Sequence, residues 1–255
     1  MARQPPQRDT PPAVQKLRVR YAKRGRLRFT SHRDIQRSLE RALRRTGVPM
    51  AYSAGFSPHP KISYAGAASM GAASEAEYLE ISVTQKLSPT RLRAALDEAM
   101  PPGLDIVEIV EAGPGTLADE LQASEWSIEL PGVSTATASL AVEAFLASDE
   151  IIVERMTKSG KRSFDARGAV LRLAADLHKS PDQGPCAILR LVVRHETPAV
   201  RPDDVLTALR VVASLTPPVP AKVTRLAQGP LVKESGAVAD PLAADRARDG
   251  DAAGA

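Results

Sequence analysis

Between Leu17 and Leu43 the spacing of apolar residues switches from every second position to every third or fourth, and this switch recurs along the chain in a fixed order. The first segment, LRVRYAKRGRLRF from Leu17 to Phe29, alternates apolar residues with Arg18, Arg20, Arg26 and Arg28. It predicts a strand with one face in the core and one cationic face in water. Lys23, Arg24 and Gly25 interrupt the alternation as a turn or bulge, so the segment is one strand or two short ones. Ser31 and Asp34 then give a Ser-x-x-Asp start that resembles a capping box, with Asp in place of the commoner Glu. In the helix that follows, Ile35, Leu39, Ala42 and Leu43 share one stripe, while Arg33, Arg37, Arg41 and Arg44 fall almost opposite. Gly47 and Pro49 end it.

Val48 to Ala51, the loop SAGFSPHPKIS and an extended stretch of small residues lead into EYLEISVT, a strand with Tyr78 or Leu79, Ile81 and Val83 alternating. Ser88-Pro89 opens a second helix, with Leu92, Ala95, Leu96 and Ala99 inward. Pro101-Pro102-Gly103 stop that helix, and LDIVEIVEA supplies another strand. Residues 16–112 therefore read strand, helix, strand, strand, helix, strand, which is the split βαβ or ferredoxin-like order. The second half repeats it, with strands at 125–130 and 151–156 around a helix at 138–147. Residues 163–177 read either as a strand with Leu171, Leu173 and Ala175 alternating or as a short Ala-rich helix, and are taken as a strand. A buried strand at 186–195, a helix from Pro202 carrying Val205, Leu206, Leu209 and Val212, and a strand at 221–227 follow. The expected fold class is α+β, a tandem of split-βαβ (ferredoxin-like) domains with antiparallel sheets. The domains are residues 16–112 and 124–232, joined by a linker at 113–123. Residues 1–15 and 233–255 are expected to be a disordered arm and tail.

Charge is distributed unevenly over this frame. The net charge is only +4, yet residues 16–45 hold twelve Lys or Arg against two acids, while residues 46–255 hold twenty bases against twenty-seven acids. A local cationic field selects a polyanion, and the planar fork of Arg suits phosphate oxygens. Arg18, Arg20, Arg26 and Arg28 on the strand, and Arg33, Arg37, Arg41 and Arg44 on the helix, are the expected nucleic-acid contacts, with Lys61 beside them. Tyr21, Phe29, Tyr52 and Phe56 lie in the same region, where exposed rings can stack unpaired bases. A second cationic element is KSGKR, where Lys158, Lys161 and Arg162 flank Ser159-Gly160 as a hairpin tip. Such a tip either reaches a polyanion or keeps an exposed edge soluble.

Two histidines are the candidate catalytic groups. In the loop GFSPHPK, Gly55 permits unusual backbone angles and Pro58 and Pro60 hold His59 extended, a stiffness that suits recognition, acid-base chemistry, ligation or a structural turn. His32 sits at a helix start, where capping competes with a role opposite His59. Two histidines facing one groove would suffice for metal-independent RNA cleavage. His178 and His195 show no partner pattern. A lone cysteine, Cys186, excludes an internal disulfide, a cysteine zinc site and a three-cysteine iron-sulfur motif. The chain has no phosphate-binding Gly-rich loop, zinc-binding His pair or Gly-x-Ser-x-Gly elbow, so no metal or cofactor is expected. With no run of eighteen apolar residues and a polar, Pro-rich beginning, a cytoplasmic protein without membrane contact is expected.

These residues carry a resemblance. The segment from Leu17 to Ala65, with FTSHRD (Phe29 to Asp34) and GFSPHPKIS (Gly55 to Ser63), together with EYLEI, KSGKRSFDAR and TPAVRPDDVL, resembles the radical SAM-linked domain of unknown function over roughly residues 16–230. The motif carries over to Phe29, Ser31, His32, Arg33 and Asp34, and to Gly55, Phe56, Ser57, Pro58, His59, Pro60 and Lys61. That resemblance implies a separate protein or an extension of a radical SAM protein, with no established activity of its own. Since the chain has no CxxxCxxC motif, radical chemistry would need a partner. Asp165-Ala166-Arg167-Gly168 departs from the family's Asp-x-Arg-Pro. The tandem layout is also similar to that of CRISPR repeat-processing endonucleases, although AQGPL has a single glycine where those carry a glycine-rich loop. The resulting expectation is an RNA-binding accessory protein that presents tRNA or rRNA to a radical SAM enzyme. The alternatives are a metal-independent ribonuclease using His32 and His59, and a protein adaptor for a radical SAM partner without nucleic-acid contact.

Overall fold

Alternation at period two makes Gln15–Lys23 a strand, β1, and the break after Lys23 ends it. The computed structural model describes residues 11–157, 160–177 and 184–252. They fall into two units, Met1–Glu120 with Pro241–Ala255, and Leu121–Asp240. In the first unit β1 is followed by a 3₁₀ turn (Gly25–Phe29), α1 (His32–Arg45), β2 (Ile62–Ala65), β3 (Ala73–Val83), α2 (Pro89–Ala99), β4 (Leu104–Glu111) and the short α3 (Leu117–Glu120). The second holds β5 (Ala123–Pro131), α4 (Thr135–Ala147), β6 (Ile152–Thr157), β7 (Gly160–Asp165), β8 (Val170–Leu177), β9 (Cys186–Arg194), α5 (Pro202–Ala213), β10 (Lys222–Gly229), β11 (Leu231–Val232) and β12 (Ala237–Val238). A last helix, α6 (Ala243–Ala252), belongs to the first unit. The fold is α+β with mostly antiparallel strand pairing.

In the first unit the strands run β4-β1-β3-β2, every neighbouring pair antiparallel. Leu17, Val19 and Tyr21 of β1 and Leu79, Ile81 and Val83 of β3 point to one face, where Ile35, Leu39, Ala42 and Leu43 of α1 and Leu92 and Leu96 of α2 close the core. Ala95, expected inward, is exposed. Ser31 caps α1 by accepting the Asp34 N–H at 3.3 Å and donates its hydroxyl to the Asp34 carboxylate at 2.7 Å. Gly47 leaves the helix at φ +67°, a left-handed turn that residues with a Cβ adopt at a cost. The second strand of this unit is Ile62–Ala65, while Val48 to Ala51 contribute the single bridge from Met50 to Val83. Leu39 is 2% exposed at the centre of this core. Leu39→Ala is expected to lower the urea unfolding free energy by about 2–5 kcal/mol through lost burial and the cavity left behind.

The cationic strand face expected in water is instead covered. Arg18 leaves β1 on the side opposite Leu17 and Val19 and is only 3% exposed. Its guanidinium binds Glu80 at 3.1 Å, Asp245 of α6 at 2.8 Å and the Gly115 carbonyl at 3.1 Å. Arg20 is half-buried and donates to the Glu75 carbonyl, and Lys23 is buried against the carbonyls of Ala68 and Ser69. Residues 24–29 are no strand: the Arg24 N–H bonds the Gly103 carbonyl and the chain winds into the 3₁₀ turn, placing Arg26 and Arg28 there. Two further segments differ from expectation for similar reasons. The tail includes α6, held by Asp245, which is 1% exposed and accepts the Gly113 N–H, and by Arg246 on Glu108 at 2.6 Å. Residues 113–123 include α3, whose Leu117 is buried, and the first residue of β5.

In the second unit the order is β10-β5-β9-β8, again antiparallel throughout, with β6 and β7 forming a separate hairpin. The single strand expected across 163–177 is two. Asp165 breaks it, because its carboxylate accepts the N–H groups of Ile151, Arg167 and Gly168 at 2.8–2.9 Å and so builds a turn. Burial pushes that carboxyl upward, but the three donors and the Arg167 charge lower it overall, so its stabilising contribution is present at neutral pH and lost on acidification. Cys186 is half-buried at the start of β9. His195, which lacked a partner pattern in the sequence, bonds Ser124 Oγ through Nε2 and the Leu121 carbonyl through Nδ1, both at 2.7 Å. Lys158, Ser159 and His178 lie outside the described residues, as do residues 1–10.

Candidate nucleic-acid interface

Helix periodicity sets what α1 shows to solvent. With Ile35, Leu39, Ala42 and Leu43 buried, Arg33, Arg37, Arg41 and Arg44 are all exposed on the far side. They run about 16 Å along the helix. Arg37 approaches Asp34 at 3.6 Å with both side chains more than half exposed, a pairing worth little in water. Arg41 donates to Ser38 Oγ at 3.1 Å, and Arg33 and Arg44 make no ion pair among the described residues. By contrast Arg45 is tied to the Ala99 carbonyl, and Arg24 is held by Glu75 and Asp105. The cationic stretch thus divides sharply. Most of the bases on β1 serve the fold, whereas Arg33, Arg37, Arg41 and Arg44 of α1 stay exposed.

Aromatic groups flank the ridge unequally. Tyr21 is 2% exposed and belongs to the core, whereas Phe29, Tyr52 and Phe56 are 59%, 43% and 56% exposed. Arg28 lies over the Phe29 ring at 4.7 Å, while Arg26 stands exposed beside it. Phe56 rides the tip of a loop that His59 closes. The Ser53 N–H donates to the His59 carbonyl at 2.9 Å, the His59 N–H donates to Ser53 Oγ at 3.1 Å, and that hydroxyl meets His59 Nδ1 at 2.9 Å. Gly55, at φ +138°, takes a backbone conformation that other residues resist. Ser57 and Phe56 are exposed, Pro58 and Pro60 are half-buried, and Lys61 is exposed next to the loop. Ser53→Ala removes both hydroxyl bonds to His59, the one to its amide worth about 1 kcal/mol, so amide exchange at His59 is expected to rise roughly fivefold in a hydrogen-exchange measurement.

His32 and His59 have different ring and hydrogen-bond partners. His32 packs edge-to-face on Tyr64 of β2, ring centroids 5.1 Å apart, and its Nε2 lies 3.0 Å from Gln36 Nε2. His59 engages Ser53 and lies near the Ser57 carbonyl. Among the described residues no group of three or more His, Cys, Asp or Glu could hold a metal. No helix among them is long and apolar enough to cross a membrane.

The sequence pattern did not reveal the other edge of α1. Gln36 and Glu40 follow His32 at four-residue intervals, so the three share the side facing β2. The spacing was readable, but Tyr64, the residue they surround, offered no signal. Burial first and the negative charge of Glu40 second hold the Tyr64 phenol well above its ordinary range, and its hydroxyl is buried without a hydrogen-bond partner. Farther along, Glu40, Leu43 and Arg44 of α1 face Tyr52, Pro58 and Pro60 across a cleft of about 210 Å³.

Residues 16–202 match the model of a family described as an uncharacterized protein conserved in bacteria, DUF2344. The chain belongs to the DUF2344 family. The match takes in both units, from β1 to the first residue of α5, and so contains the α1 ridge and the His59 loop. No curated protein matches this DUF2344 chain. Lys161 and Arg162 also lie inside the match, on β7: Lys161 pairs with Glu154 at 2.6 Å and Arg162 is exposed.

Proposed function

We propose that the chain is an RNA-binding accessory protein that presents tRNA or rRNA to a radical SAM modifying enzyme. The observation that carries this reading is the row of four exposed arginines on α1. Its length spans successive phosphates of a nucleic-acid strand, and Arg binds each through a planar fork. Exposed Tyr52 and Phe56 add rings for stacking unpaired bases, which favours single-stranded RNA over a duplex.

The strand orders β4-β1-β3-β2 and β10-β5-β9-β8 support reading the chain as two split-βαβ units, the second with the β6–β7 hairpin inserted. RNA-binding domains of that topology stack bases on the open face of the sheet. Here α6 lies on that side of the first unit, at Arg18 and Glu108, so contact falls to α1 and the loop. The separate surroundings of His32 and His59 weigh against histidine-pair cleavage. The resemblance to the radical SAM-linked domain supports a radical SAM enzyme as the protein partner. Fluorescence anisotropy with short single-stranded RNA is expected to show affinity falling steeply between about 50 and 200 mM salt. Absent binding, or affinity indifferent to salt, would overturn the RNA reading, and recovery of a radical SAM enzyme after nuclease treatment tests the partner separately.

A further inference from the structure

The cleft beside α1 has a chemistry that the ridge lacks. It is smaller than the roughly 300–1,000 Å³ of pockets that hold whole drug-sized ligands, so it suits one planar ring system. Tyr52 and the two prolines give it flat walls, and Leu43 and Met50 an apolar floor. Two charges line it: Arg44, the last member of the ridge, and Glu40, half-buried one turn before. They do not neutralise each other, and Glu40 makes no ion pair among the described residues. The loop that supplies one wall is held in place, because Tyr52 bridges Pro60, the Lys61 N–H donates to the Ala51 carbonyl, and Ser53 and His59 close the turn.

We propose that this cleft is a subsite for a single guanine base of the bound RNA, with Glu40 reading the base and Arg44 holding its phosphate. The proposal rests on the RNA-binding reading and deepens it. A carboxylate only accepts hydrogen bonds. Guanine alone presents two adjacent donors on its Watson–Crick edge, N1–H and the 2-amino group, which match two carboxylate oxygens side by side. Adenine and cytosine place a ring nitrogen acceptor beside their amino group, and uracil flanks its single N–H with two carbonyls. Each of those sets an acceptor against the Glu40 charge. The ring stacks on Tyr52, and the prolines keep the slot from collapsing when it is empty. Arg44 continues the arginine row into the cleft, so a strand lying along α1 delivers its base there without leaving the ridge.

The test uses the full-length chain with GMP, AMP, CMP, UMP and IMP, followed by NMR or calorimetry. GMP is expected to bind at least about tenfold more tightly than AMP, CMP or UMP, since a bidentate base contact supplies discrimination of that order. IMP, which lacks the 2-amino group, falls between. Glu40→Gln is expected to collapse the preference while the circular dichroism spectrum stays that of the parent, and Tyr52→Ala, at a largely exposed ring, to weaken all five ligands together. Arg44→Ala is expected to erase the advantage of GMP over guanosine. Equal binding of the nucleotides, or a guanine preference that survives Glu40→Gln, overturns the proposal. The two readings fail separately: salt-dependent RNA binding without a GMP preference removes only the subsite, and selective GMP binding without RNA binding removes only the RNA assignment.

Discussion

A chain carrying Arg37→Glu and Arg41→Glu is expected to lose RNA affinity on the order of 100-fold near 0.1 M salt. On a single strand each arginine that meets a phosphate releases about 0.7 of a counterion, so the plot of log affinity against log salt should also become shallower by about 1.4. The loss should be similar for every sequence, because a phosphate contact positions a strand without reading its bases. Both side chains are exposed, and neither takes part in the core beneath α1, so thermal unfolding should change little. Among the described residues the only acid paired with either is Asp34, near Arg37, and its pairing is too exposed to confer much stability. An unchanged salt slope in a folded double variant would show that the ridge does not touch RNA. As a matched control, the same reversal at Arg24 removes a base already neutralised by Glu75 and Asp105, and it should leave the slope intact.

Asp245→Ala carries the largest expected effect on stability. It strands the Arg18 guanidinium, 3% exposed, with Glu80 as its remaining carboxylate, and leaves the Gly113 N–H without an acceptor. Breaking a buried ion pair from one side costs about 3–5 kcal/mol, because the surviving charge keeps its desolvation penalty. Urea unfolding should register that loss, and limited proteolysis should cut between residues 240 and 252 sooner. Removing both charges is a different experiment. Arg18→Met with Asp245→Leu replaces the pair by apolar groups and should recover part of the stability, since Glu80 keeps Lys16 at 3.5 Å while the Gly113 N–H stays without its acceptor. If the double variant is as unstable as the single one, the ion pair is not what anchors α6.

Legibility followed the distance between cause and effect. The buried stripe of α1 and the Ser31 cap were plain because their partners lie within one or two helical turns. The prolines around His59 were visible in the sequence, but the closure of its loop by Ser53 was not, since a serine six residues away carries no distinctive signal. Asp165 hides a turn inside what reads as one alternating strand, because a single side chain there captures three backbone donors. The greatest departure was Arg18. Alternation predicts which side of a strand faces away from one core, yet it is silent about a helix that covers the second side. Glu40 escaped for a related reason: its spacing from His32 was visible, but the wall opposite it comes from Tyr52, Pro58 and Pro60.

The Arg18–Asp245 bond joins residues 227 positions apart. A ribosome therefore releases the partners of the first unit in two instalments, with all of Leu121–Asp240 emerging in between. The second unit has its complete complement of residues while Arg18 of β1, already beside Glu80, still waits for Asp245. Translation begins the first unit first and finishes it last, so a truncated product ending near residue 240 would carry a whole second unit beside an unfinished one.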